Sequence, residues 1–474
     1  MTHPQTSRPL YENYDVVVIG AGPAGIAAAT TAASGGARTL MLDENAGPGG
    51  QVWRSIMATP VKKPDILGSD YWSGKSHVDA LRASGAEILH RATVWSLDAS
   101  LELAISIGGG SCFVKAGQVI IATGAQERPF PIPGWTLPGV MTAGAAQTLI
   151  KNAGLVPDGK LVIAGQGPLL WLLSAQILRL GGKIERILVT TPKGNLSAAL
   201  PKALPFLTSP YLAKGIKMLC EVKRQASIVN NVTAIKALGD GQLASVSYTA
   251  NGKFETLAAD VLLLHQGVVP NVNLAMAAGV KHEWDDAQLC WRPVLDENGQ
   301  TNLPGIYIAG DGAGIGGAQA ALERGRIAAL GALKAQDISV SQHTMDETRK
   351  ALIRAEKGRA FLDILYKPAE QFRIPDGDTI VCRCEEIRAR DVLKAVETGA
   401  SGPNQAKAYL RTGMGPCQGR LCGLTMTELM AKACKTTPQK IGYYRLRAPI
   451  KPIALNELAD LPTDEIAYKA VVRE

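Results

Sequence analysis

Aromatic residues are scarce, at 5%, and no basic stripe interleaved with aromatics occurs, so a nucleic-acid surface is not expected. Charged residues reach only 19% against 46% apolar, which excludes a disordered chain. Long apolar runs are missing as well. The longest, Pro168–Leu173 extended to Leu180, carries Ser, Gln and Arg. It falls short of the ~20 residues a membrane span requires, so no transmembrane segment is expected. The stretch Met1–Tyr14 is polar and has no apolar core of a signal peptide. A cytoplasmic protein is expected, at most peripheral to a membrane through electron transfer. In that compartment the eight cysteines default to reduced thiols or metal ligands.

Glycine is abundant instead, 50 of 474 residues against a usual share of ~7%. No G-X-Y period accompanies it, so collagen is excluded, and the excess sits in turns beside strands. The length suggests roughly three domains. The formal charge is +8. From Thr379 onward, 15 Lys/Arg stand against 10 Asp/Glu, so about +5 of it lies there. A mixed solvated surface explains this; an acidic protein partner or a bound anionic cofactor is the alternative.

Residues 14–19, YDVVVI, read as a buried strand. Gly20-Ala-Gly22-Pro23-Ala24-Gly25 follows, then an alanine-rich helix, Ile26–Ala33, ended by Gly35-Gly36. The next strand, 39–42, closes with Asp43-Glu44. In this βαβ unit the first glycine permits the turn, the second lets backbone meet a pyrophosphate, and the third lets helix and strand pack. The helix N-terminus suits phosphate, and the acid suits ribose hydroxyls. A second unit starts at Lys160 with Gly165-Gln-Gly167, but Leu170 replaces the third glycine. Its second strand ends in Thr190-Thr191-Pro192 with no acid. A working NAD(P) site, a remnant of the fold, and a site reused for another nucleotide all remain open. Two further strands end in Thr123-Gly124 and in Gly310-Asp311, the latter entering a helix near Gln319. An aspartate there can take a flavin's ribityl chain, and the helix N-terminus can face its pyrimidine edge.

The segment 373–378, RIPDGD, marks a boundary. Beyond it lie Cys382-Arg-Cys384, then 32 residues, then Cys417-x4-Cys422. Ala389, Val392, Leu393 and Val396 mark a helical stripe after the first pair, and another helix follows Leu424. Four thiolates satisfy a [2Fe–2S] cluster. Gly413, Gly415, Gly419 and Gly423 leave N–H groups free for the sulfurs, and Arg383 and Arg420 would raise its potential. A structural zinc held by the same four thiolates is the alternative.

The set Gly20–Gly25, Asp43, Thr123-Gly124 and Gly310-Asp311 resembles the two-dinucleotide-fold flavoproteins of the thioredoxin and glutathione reductase superfamily, an α/β fold. That resemblance implies FAD contacts at Gly20, Gly22, Pro23, Ala24 and Gly25, at Asp43 and Glu44 on the ribose side, and at Gly49, Gly50, Gln51, Val94, Thr123, Gly124, Gly310, Asp311 and Gln319. No Cys-x-x-Cys pair lies near either flavin segment, so disulfide reduction is not expected. Cys112, Cys220 and Cys290 are isolated and expected in the core. His265 is singled out as a weak catalytic candidate. It, Gln51 and Gln319 are read either as flavin contacts or as ordinary turn and cap residues. The C-terminal segment resembles the helical bacterioferritin-associated-ferredoxin-type [2Fe–2S] domain, except that C-x4-C replaces C-x2-C.

The expected division is 1–155 and 256–338 for the FAD domain, 156–255 for a degenerate NAD(P)-like insert, 339–378 for a linker of mixed helix and connecting chain, 379–440 for the cluster and 441–474 for a tail packed in extended form. In this order, with Gly49-Gly50-Gln51, the segment from Ala122 to Arg128, and His265–Asn271, the chain resembles the alpha (A) subunits of hetero-oligomeric FAD/iron–sulfur dehydrogenases. That group includes opine (octopine/nopaline) oxidase A, D-hydroxyproline dehydrogenase alpha and hydrogen cyanide synthase B subunits. The resemblance implies substrate oxidation at a C–N bond in an FAD-dependent amino-acid-oxidase-like beta subunit. It allows an FMN at the interface and a small ferredoxin-like gamma subunit. A self-sufficient NAD(P)H-dependent flavoprotein reductase and a non-enzymatic redox sensor or scaffold are the alternatives.

Overall fold

A computed structural model describes residues 13–459 and 461. The expectations for Met1 to Glu12 and for the tail's last residues lie outside the described residues. In the first sheet, of seven strands, Asn13–Ile19 lies between Thr39–Asp43 and Gly110–Ile121, both parallel to it. Val17 faces Leu40 on one side and Val119 on the other. These strands are apolar on both faces because helices cover one side and further chain the other. The long strand Gly110–Ile121 does two jobs. Its first half pairs antiparallel with Glu102–Ile107, and its second half pairs parallel with Asn13–Ile19 and Ile306–Ile308.

Helices Pro23–Ser34 and Ala318–Ala335 cross on this sheet. They meet at Gly325, where a Cβ would lie 2.1 Å from the Ala24 carbonyl oxygen. The second sheet has five parallel strands in the order Ile228–Val229, Arg186–Val189, Leu161–Gly165, Val261–His265 and Val140–Thr142. It therefore recruits strands on both sides of the 156–255 expected for the insert. An antiparallel meander, Val232–Leu238 to Lys253–Ala258, lies beside it, and Asn251-Gly252 turns its second hairpin with φ of 50° and 77°. A two-stranded pair, Ala125–Glu127 with Val268–Pro270, bridges the two nucleotide units.

The stretch 339–378, expected as mixed helix and linker, forms helices Gln342–Ala355 and Arg359–Leu365. After it comes a small unit with its own core of Val392, Ala406, Met426, Met430 and Tyr444. It contains the hairpin Ile380–Cys382/Ile387–Arg388 and helices Ala389–Glu397, Pro403–Leu410 and Gly423–Ala433. The Trp135 indole donates to the Ile380 carbonyl (2.8 Å), and half-buried Arg373 pairs with buried Glu428, docking this unit on the body. The tail packs as expected at Ile450, whose N–H donates to Trp95 O (3.0 Å), but then adds a short helix, Leu455–Ala459.

Candidate functional site

The glycine-rich turn is built for close approach. A Cβ on Gly20 (φ 107°) would lie 2.6 Å from Ala122 O, and one on Gly25 would lie 1.7 Å from Gly20 O. Gly22 differs: a Cβ there would meet nothing nearer than Gly50 Cα at 3.9 Å. The loop therefore packs through its first and third glycines and opens at its second. Pro23 starts the helix, so its first N–H groups point into that opening.

The opening leads into a cavity of about 1820 Å³. Gly20, Gly22, Pro23, Ala24, Asp43, Glu44, Gly50, Gln51, Val94, Thr123, Gly124, Asp311 and Gln319 all line it. Gly25, Gly49 and Gly310 stand behind this wall and shape it. The Thr123 hydroxyl is buried with no hydrogen-bond partner among the described residues, and a bound ligand would satisfy it. Asp43 is 5% exposed. Its oxygens accept from Ala21 N (2.5 Å), Asn45 N (2.6 Å) and Asn45 Nδ2 (2.7 Å). The residue expected to hold ribose thus also ties the first strand's turn to the second strand's end. Glu44 beside it pairs with Lys451 from the tail. Asp311 Oδ1 accepts from Gly316 N and Gly317 N, both at 2.9 Å, which fixes the turn that leads into helix Ala318–Ala335 beside the cavity.

Lys151 was not visible in the sequence. It lies on helix Ala143–Ala153, is 4% exposed, and lines the cavity. Its ammonium donates to Gln51 O (2.9 Å), Val52 O (3.0 Å) and Gln147 Oε1 (2.9 Å). Burial, helped by the nearby Arg54 charge, pushes it down to about 7. It fixes the Gly49–Gln51 turn from the far side of the cavity. The spacing of Gln147 and Lys151 within an apolar helix was the only available signal.

His265 lies outside the cavity lining. It is 3% exposed, at the end of a second-sheet strand, and its Nδ1 is 2.7 Å from Glu127 Oε1. The other Glu127 oxygen accepts from Gly144 N (2.9 Å). At the second glycine turn Leu170 is fully buried, and the Gln166 amide donates to Tyr366 O (2.8 Å). Cys290 is buried as expected, but Cys112 is only half-buried and Cys220 is exposed on helix Pro210–Lys223, whose polar face needs no core.

The four C-terminal cysteines meet as two pairs. The Cys422 thiol is hydrogen-bonded to the Cys382 sulfur, and N–H groups of Gly413, Glu385 and Cys384 point at that sulfur. These bonds hold Cys382 down at about 6, led by the Cys422 thiol. The Cys384 sulfur meets both the backbone and the thiol of Cys417, while burial pushes Cys384 up. The Tyr444 hydroxyl lies 3.5 Å from the Cys422 sulfur. As placed, no three His, Cys, Asp or Glu side chains among the described residues gather tightly enough for a single metal ion. The cysteine loop also reaches the cavity: Arg420 and Leu421 line it. Arg420 O accepts from Gln126 Nε2 (2.7 Å), and Gln418 O from Asn273 Nδ2 (2.8 Å).

The family model described as pyridine nucleotide-disulphide oxidoreductase matches residues 14–325. The chain belongs to that family. Membership makes it an oxidoreductase of the α/β flavoprotein fold and implies FAD binding. A second model, the sarcosine oxidase A3 domain, matches residues 376–461. Over 98% of its length the chain is 46% identical to the A subunit of opine oxidase from Agrobacterium tumefaciens, of which it covers 94%. It is 30% identical to hydrogen cyanide synthase subunit HcnB of Pseudomonas aeruginosa, over 95% of the chain and 100% of that protein. The expected likeness to the A-subunit group is borne out. L-proline dehydrogenase from P. horikoshii shares the fold, with a TM-score of 0.71 and 19% identity over 94% of this chain and 79% of that one. Among the described residues no helix is long and apolar enough to cross a membrane.

Proposed function

We propose that this chain is the FAD- and [2Fe–2S]-bearing electron-transfer subunit of a hetero-oligomeric dehydrogenase. The C–N bond of an opine or a D-amino or imino acid is oxidised on a partner beta subunit with its own FAD. The observation that carries this reading is the shared wall: Arg420 and Leu421, between Cys417 and Cys422, border the same cavity as Gly22 and Asp311. The names of the relatives supply the substrate class.

When bound, a flavin takes electrons in pairs and can release them one at a time, and an iron–sulfur cluster exchanges them singly. The chain's residues divide the work accordingly. Gly22 and the helix start at Pro23 receive the phosphates. Asp43 and Glu44 border the adenosine end, and Asp311, Gln319 and the Lys151-braced Gln51 turn border the flavin end. Two touching cysteine pairs suit two iron atoms held by two thiolates each, and suit a single tetrahedral zinc less well. Backbone N–H groups aimed at Cys382 stabilise negative sulfur. His265, buried against Glu127, positions the joint between the nucleotide units instead of meeting substrate.

The test is anaerobic. The purified chain should carry flavin and about two irons, and NADH or NADPH should not bleach its visible flavin band. Bleaching should appear when a co-expressed beta subunit is supplied together with an opine or D-imino acid. Rapid bleaching by NAD(P)H alone would make the chain a self-sufficient reductase. A flavin that no donor reduces would make it a sensor or scaffold.

A further inference from the structure

The cavity, at about 1820 Å³, exceeds the roughly 300–1,000 Å³ of a single small-ligand site. Beyond the glycine-rich turn it continues as a second arm between helices Pro168–Arg179 and Pro210–Lys223 and the segment 359–366. Leu169, Trp171, Phe206, Tyr211, Leu365 and Tyr366 wall this arm. Phe206 stacks on Phe361 with ring centroids 4.3 Å apart.

In a doubly wound fold a dinucleotide would run from the second glycine turn along this path. Here the arm stays open, but the chain itself occupies the polar groups at its start. The Gln166 amide is engaged by Tyr366 O, and the Asn195 amide donates to Leu365 O (3.0 Å) and Lys367 O (2.8 Å). Two of the arm's cations are paired, Arg179 with Glu221 (2.6 Å) and Lys214 with Asp70 (2.7 Å), and a third, Lys217, lies near Glu221. At the outer wall Ile216 is 54% exposed. An arm walled mainly by aromatic and apolar side chains, opening beside the flavin compartment with Ile216 at its lip, fits a planar, uncharged, redox-active guest.

Resting on the reading that electrons reach this chain's flavin from a partner, we propose that the arm binds the electron acceptor, a quinone. The quinone takes a hydride and a proton from the reduced flavin. Its two carbonyls become hydroxyls, and the flavin is left oxidised. The segment 359–367 thereby exchanges a site for a charged dinucleotide for one that takes an apolar acceptor.

Calorimetric titration of the full-length, flavin-loaded chain with ubiquinone-1 and with NADH tests this. One saturable quinone site per chain is expected, with no NADH binding. Leu365→Glu should weaken quinone binding at least tenfold at unchanged flavin content. Ile216→Glu, on the exposed wall, serves in its place if Leu365→Glu loses flavin. Absence of saturable quinone binding, unchanged affinity in the variant, or NADH binding in the arm would overturn the proposal. Ferricyanide reduction by the complex with partner and substrate reads electron delivery separately. If ferricyanide is reduced but no quinone binds, the pocket falls and the relay stands.

Discussion

The glycine turn shows how one residue type does opposite jobs a few positions apart. Gly25→Ala would push a methyl into the Gly20 carbonyl, 1.7 Å away. It should cost about 1–3 kcal/mol of stability, read as a lower urea midpoint. Gly22 sits at φ −76° with open space before it. Gly22→Ala should therefore leave the urea midpoint in place and lower flavin affinity at least tenfold, about 1.4 kcal/mol, read by flavin retention on dialysis. Lys151 adds a pH signature. Its folded value near 7 lies below the ordinary 10.5. Between those values the unfolded chain holds a proton that the folded one lacks, so stability should rise with pH across that window, by at most about 1.4 kcal/mol per unit. Thermal midpoints measured from pH 7 to 10 should show this rise in the natural chain and a flatter line in Lys151→Met. The spacing of Gly20, Gly22 and Gly25 was legible because each glycine serves its own turn. Lys151 was not, because its partners Gln51 and Val52 lie about a hundred residues away in the chain.

At the scale of elements, local patterning told most. The strand at 14–19, its helix, and the helix after Arg388 were readable because their apolar residues repeat at the element's own period. The reach of the second sheet was not. Val140–Thr142 is too short to carry a period, and Val261–His265 gives no sign of its partner until it lies beside Leu161–Gly165. The cysteine unit makes two predictions. On the proposed [2Fe–2S] reading, Cys384→Ser or Cys417→Ser should remove iron and its visible absorption while flavin stays bound, measured by metal analysis and spectrum. The helix Gly423–Ala433 is anchored by Glu428, 4% exposed at its side chain, against Arg373. Arg373→Ala should cost about 3–5 kcal/mol by stranding a buried carboxylate. Adding Glu428→Gln should recover part of that loss, and denaturant titration of the pair checks both.

For the whole molecule, the sequence announced two nucleotide units and a cysteine segment, but not how they are joined. The stretch 339–378 read as mixed helix and linker, with no sign of what its helices cover. In the fold it lies across the second sheet, with Tyr366 on Gln166. The cysteine loop is bonded to Gln126 in the bridging pair and to Asn273 beyond it, and the tail pairs Lys451 with Glu44 at the cavity's far end. The later third of the chain thus fastens the two nucleotide units to each other at three places. A protein laced in this way has no large swing to complete between one electron and the next. Its internal transfer should then depend on distance and driving force and be indifferent to solvent friction. Thickening the medium with sucrose should slow the meeting with a carrier and leave flavin-to-cluster equilibration, followed by stopped flow after rapid reduction, at the same rate.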